Sequence, residues 1–349
     1  MRFFGFHRES RLLAAVPEFS ESEAVFDVTA IEDSLNSSDV SIKPIFVGLG
    51  EVLWDVFPDG RRPGGAPANF AWHANQLGAR GLVVSRVGDD RLGDELVGIL
   101  SERGLDADHV QRDSEQSTGT VSITTTADGQ PDYTIHEPVA WDCLEWTDAL
   151  ASLFPTVSGV CFGTIAQRRP TSRATIMACL SAMPEASLKV YDVNLRKTSW
   201  DLATVESSLE LADIVKLNDE ELAVLSGRLG WPGSDLSETT EFLQDRYGLD
   251  GVWVTRGAGG CLLRGVDELV ECAGIEVEVA DTVGAGDSFT AAMIWSLWLG
   301  CSLSESAELA NRVGALVASR QGGMPDLSDC LPGLIESGPW CASCSGLIR

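Results

Sequence analysis

The chain has 349 residues, 44% of them hydrophobic and 22% charged, the make-up of a soluble globular enzyme with one large or two modest domains. Its formal charge of −27 excludes nucleic acid and anionic membrane as main partners, because such a surface repels both. A nucleotide meets the same repulsion, so a nucleotide site here needs local positive charge from backbone amides, Mg²⁺ and a few placed Arg or Lys.

Residues 1–43 are acidic and lack the apolar centre of a signal peptide, and no stretch approaches the roughly 20 apolar residues that span a bilayer. They read as a poorly ordered extension, or as a start codon placed too early, and the protein is expected to be cytoplasmic. The domain is expected over 44–328. It opens with a short apolar strand at 45–50, and 51–58 continues extended until Pro63-Gly64-Gly65 breaks the run. Residues 66–78 predict a helix of small residues, 82–87 a strand and 90–103 an amphipathic helix. Between 117 and 137 apolar residues alternate around Asp128-Gly129, which is a hairpin signal.

Strands at 157–162, 189–193, 214–217 and 252–255 then alternate with helices near 171–183, 199–210, 219–227 and 237–247. Short strands at 260–263 and 269–273 and helices at 285–299 and 304–320 follow. The alternation gives an α/β fold: a mostly parallel sheet with helices on both faces. Segments 52–62 and 117–140 look inserted, as a small β-sheet lid. Residues 329–349 read as a C-terminal tail. Its Cys341-Ala-Ser-Cys344 has no second ligand pair, and the nine cysteines read as reduced core residues. His73, His109 and His136 have no ligand spacing, so no dedicated metal cage is expected.

The chemistry concentrates in Asp281-Thr282-Val283-Gly284-Ala285-Gly286-Asp287, where an extended run becomes a helix. A helix start offers unpaired amides and a positive dipole end to an anion, and Gly284 and Gly286 let a phosphate approach closely. Asp287 in the first turn is a poor permanent neighbour for phosphate and a sensible proton acceptor, which suggests phosphoryl transfer to a hydroxyl. With its trailing helix of small residues, this string resembles the signature of the ribokinase-like (PfkB) carbohydrate kinases. The resemblance spans roughly 45–325. It implies a three-layer α/β/α core with a β lid over the sugar, Asp287 as catalytic base, and Gly284, Ala285 and Gly286 with Asp287 as the anion hole.

Other segments match the family in order. Asp55 with Gly64-Gly65 and Asn69 is similar to the N-terminal signature whose Asp, Gly-Gly and Asn grip sugar hydroxyls. Asp192-Val193-Asn194-Leu195-Arg196 resembles an element of fructokinases and 2-keto-3-deoxygluconate kinases, where Arg196 would meet phosphate or sugar; the bare residues also allow a surface pair with Asp192. Asn218 and Glu221 match a motif that orders the Mg²⁺–phosphate region, and as a bare pattern they cap a helix. Thr255, Gly257 and Gly260 match the loop lining the nucleotide, and Asn311 the adenine side. In the same picture Asp281, the Val283 carbonyl and Ser319 form a potassium site. Trp141 either faces the sugar ring or packs the lid.

No GxxxxGK[ST] string occurs, which excludes a P-loop kinase. The implied reaction is transfer of the γ-phosphate of ATP, with Mg²⁺, to a sugar. Fructose is the first choice, and ribose or 2-keto-3-deoxygluconate the next. A catalytically inactive relative acting as a binding or regulatory subunit stays open, as does the choice between a monomer and a lid-mediated homodimer. A dinucleotide-dependent oxidoreductase fits poorly, because Gly48-Leu49-Gly50 leads into an extended run rather than a helix.

Overall fold

The computed structural model describes residues 43–125, 131–196, 199–232 and 235–336. The N-terminal extension up to residue 42, the Asp128-Gly129 turn, Cys341 and Cys344 lie outside them. Nine strands form the main sheet. Its centre is parallel and runs β11 (Gly251–Thr255), β10 (Ile214–Asn218), β9 (Leu188–Asp192), β8 (Gly159–Gly163), β1 (Ile45–Leu49), β4 (Arg80–Gly88) and β5 (Val110–Asp113). Beyond β11, β12 (Cys261–Arg264) and β13 (Leu269–Cys272) add antiparallel.

The strands bury both faces, as a parallel sheet between helices requires. On β11, Val252 and Val254 enter one core while Trp253 enters the other; Tyr191 and Val190 of β9 divide the same way. The first core is closed by α4 (Pro170–Ala182), α5 (Leu202–Leu211), α6 (Asp219–Leu229) and α7 (Leu236–Tyr247). The second is closed by α1 (Ala66–Gln76), α8 (Ala285–Trp298), α9 (Leu303–Ala318) and α10 (Leu331–Glu336). The remaining helices are α2 (Arg91–Glu102), which packs Leu96 and Leu100 on β4, and α3 (Asp148–Leu153). The result is the three-layer α/β/α architecture.

A separate four-stranded sheet forms the lid, in the order β3 (Gly60–Gly64), β2 (Leu53–Phe57), β6 (Gly119–Thr125), β7 (Pro131–Ile135). Three of its strands fall within the segments 52–62 and 117–140, and β3 runs past residue 62 to Gly64. Two boundaries need correction. Residues 60–64 are paired rather than a break; β3 is an edge strand, where Pro63 removes no hydrogen bond that the sheet needs. The tail begins later than 329, because Leu331 and Ile335 of α10 are 4% and 3% exposed in the second core.

Candidate active site

The chemically active side chains gather beyond the carboxyl ends of β1, β9 and β10, where open parallel sheets bind ligands. At the centre is Asp287, in the first turn of α8. The helix starts on Gly284, whose φ of 79° is left-handed and whose missing Cβ would lie 2.4 Å from the Gly323 carbonyl oxygen. Ala285 donates its amide to Thr282 O, while among the described residues the amides of Gly286 and Asp287 have no backbone acceptor. Asn69 of α1 donates from Nδ2 to Asp287 Oδ2 at 2.8 Å, and its own Oδ1 is buried with no partner among the described residues.

Helix α1 holds this contact by gripping the 323–327 turn along one face. His73 donates from Nε2 to Gly323 O, Trp72 donates from Nε1 to Pro325 O, and Gln76 accepts from Leu327 N. Burial lowers the His73 imidazole to about 4, so the ring is neutral and acts as a fixed donor.

Two groups at the centre have no counterpart in the sequence reading. Lys216 projects from β10 on the side opposite Val215 and Leu217. Its Nζ donates to both oxygens of its cross-strand partner Asp192 at 3.0 and 3.1 Å. The same Nζ fills the space that a Cβ on Gly286 would enter, at 2.8 Å. Burial alone would lower the ammonium, but Asp192, Glu221 and Asp287 outweigh it and hold Lys216 above its ordinary value. Burial and the charge of Asp192 raise Asp287 to about 6, against the Asn69 hydrogen bond and the cations Lys216 and Arg196. The second group is Glu51, 4% exposed, with Oε2 buried and unpartnered. Burial raises it to about 7 despite two backbone amides and Arg196, and Asp287 adds to the rise. A lone Lys in an apolar strand and a lone Glu between apolar runs are the signals that would have found both.

In the lid, burial lifts Asp55 of β2 to about 6, moderated by Arg196. Its Oδ2 occupies the place of a Cβ on Gly64, 2.2 Å away, so a side chain there would displace the Asp55 carboxylate. Gly65 caps α1 at a φ of 109°. Arg196 is exposed, and its charge acts on Glu51, Asp55 and Asp287 together. It does not pair with Asp192, which Lys216 occupies. Trp141 is 1% exposed at the lid root, beneath the Arg168 guanidinium at 4.0 Å, and Arg168 forks onto Asp142.

Beyond β10, Asn218 and Glu221 form a reciprocal capping box at the start of α6, and Glu221 also accepts from Leu195 N. Their side chains are committed to holding α6 and the 194–196 turn. Thr255 ends β11; Gly257 and Gly260 follow with left-handed φ of 51° and 84°. Arg256 pairs with Glu271 of β13. Asn311 of α9 donates to Ala273 O at 2.6 Å and so fastens the exit of β13. Asp281 accepts from Val283 N and Gly322 N, and Ser319 Oγ donates to Leu316 O, which places the 281–283 and 319–322 segments side by side.

Residues 40–330 match the family model described as pfkB family carbohydrate kinase. The chain is 31% identical to a fructokinase of Escherichia coli over 80% of its own length and 94% of the relative's. It is similar in structure to a Vibrio cholerae fructokinase solved with fructose, ADP and calcium, at a TM-score of 0.68 and 27% identity, covering 82% of this chain and 96% of that one. An aminoimidazole riboside kinase of Salmonella enterica, solved with that riboside and an ATP analog, superposes at a TM-score of 0.70 and 25% identity, covering 84% and 100%.

Proposed function

Since the chain belongs to the pfkB family of carbohydrate kinases, we propose that it transfers the γ-phosphate of ATP to a primary hydroxyl of fructose, with Asp287 as general base. One observation carries the reading: Asp287 is held by Asn69 beside the open amides that begin α8. The carboxylate takes the hydroxyl proton as the sugar oxygen bonds to the γ-phosphorus. The bond from that phosphorus to the bridging oxygen breaks, and ADP leaves with the electron pair.

The amides of Gly286 and Asp287 receive phosphoryl charge without reorganising, and Lys216 lies directly under that turn. Asp55, Asn69 and the Gly64-Gly65 backbone orient the acceptor, as short directional groups suit a polyol. Bound with the nucleotide, Mg²⁺ neutralises phosphate charge. Thr255, Gly257, Gly260 and Asn311 line the nucleotide, and Asp281, Val283 and Ser319 supply a potassium site.

A second acceptor, 2-keto-3-deoxygluconate, is favoured by the exposed Arg196, whose planar cation suits a carboxylate. The test is ADP release with Mg-ATP against fructose, ribose, 2-keto-3-deoxygluconate, glucose and adenosine. Turnover with fructose above the others supports the reading. Turnover with the sugar acid alone replaces the substrate, and turnover with none favours an inactive binding subunit.

A further inference from the structure

We propose that Glu51 is a positioning residue of this site, one that anchors the amino end of α1 and thereby fixes the Asn69–Asp287 hydrogen bond. The inference rests on the phosphotransfer reading above. Glu51 lies where the core strand β1 passes into the lid strand β2, and its carboxylate is buried with one oxygen unpartnered. A charge is rarely placed so unless a nearby dipole or ion uses it.

The start of α1 is such a dipole. It has no side-chain cap and no acidic residue in its first turn. The Ala66 amide lowers the Glu51 carboxyl, which puts a buried negative charge beside the uncapped start of α1. Contact between the two segments is close: a Cβ on Gly65 would lie 2.5 Å from the Glu51 carbonyl oxygen. Ala68 and Asn69 both donate their amides to Gly65 O, so the anchored turn is the one that aims Asn69 at Asp287.

The charges facing these groups set the order of ionisation. Asp287 and Arg196 face Glu51; Asp192, Lys216 and Arg196 face Asp287; and the buried Cys161 thiol lies near both carboxyls. With Asp287 near 6 and Glu51 near 7, Glu51 ionises last as the pH rises. The ionised form is the anchoring form, because amide dipoles hold a carboxylate more strongly than a neutral acid.

The test compares wild type, Glu51→Gln and Glu51→Ala by ADP release from about pH 5 to about pH 9. Amide hydrogen exchange at Ala68 and Asn69 is measured on the same proteins without substrate. Wild-type kcat/KM should fall on the acid side with two protons, near pH 7 and near pH 6. Glu51→Gln should keep only the lower ionisation, with exchange between that of wild type and that of Glu51→Ala, because a neutral amide oxygen holds the helix start less strongly than a carboxylate. Glu51→Ala should exchange roughly tenfold faster at both amides, as expected for a lost helix cap, and lose kcat with little change in KM for ATP. A two-proton limb retained by Glu51→Gln, or wild-type exchange and kcat in Glu51→Ala, would overturn the proposal. Absence of turnover in all three proteins would sink the phosphotransfer reading instead, and exchange would still decide the anchoring.

Discussion

Replacing Lys216 with methionine keeps most of the stem and removes the buried ammonium. In the native chain Nζ stands 3.0 and 3.1 Å from the Asp192 oxygens, with the two side chains 9% and 4% exposed. At that separation and an effective dielectric of about 20, Coulomb's law gives about 5 kcal/mol of attraction. Without the lysine, Asp192 keeps its desolvation cost and loses its partner, so the fold should lose about 3–5 kcal/mol near neutral pH. Glu221 and Asp287 feel the same cation, which lowers both. In the variant, Asp287 should rise further above about 6 and carry the acid limb of kcat upward with it. Stability should respond in a definite direction. A carboxyl raised in the folded state penalises folding at pH values above its unfolded value, so the deficit is largest in alkali and shrinks as the stranded carboxylates protonate. Urea unfolding of both proteins at about pH 5 and about pH 8, with ADP release beside it, measures these effects. An equal deficit at both pH values, with the acid limb unmoved, would refute the reasoning and leave Lys216 as packing.

Asp287→Asn should lower kcat by roughly 10²–10⁴-fold while calorimetry still finds ATP affinity near wild type. The same variant should melt above wild type at about pH 8 and level with it at about pH 4, because a carboxyl raised from 3.8 to about 6 destabilises the fold only when ionised. Gly284→Ala places a Cβ 2.4 Å from Gly323 O at a left-handed φ, and should cost at least about 2 kcal/mol in a thermal melt. Asn69→Ala removes the donor that lowers Asp287, so the acid limb should move to higher pH and KM should rise for the sugar more than for ATP.

What could be read from sequence follows the range of the interactions. The central strands were legible because each is an apolar run between two buried faces, as in Val252-Trp253-Val254. Two edge strands were not: β3 carries Arg61, Arg62 and Pro63, and β5 reads Val-Gln-Arg-Asp, since an edge strand need not be apolar on both sides. In the site, residues in local strings stood out, as with Gly284 to Asp287. Contacts across the chain did not, because nothing local marks that Lys216 meets Asp192 across a strand pair or that Asn69 reaches Asp287 over 218 residues. Those hidden contacts also answer the difficulty posed by a charge of −27. Around the transfer site Glu51, Asp55, Asp192, Glu221 and Asp287 interact with Lys216 and Arg196, so acids outnumber bases. That surplus, added to burial, helps hold the Asp287 carboxyl near 6, as its proposed role of general base requires. It also means that a polyphosphate entering alone would raise every one of these carboxyls further. The site is therefore expected to accept ATP together with its own Mg²⁺, the cation arriving with the charge that it offsets.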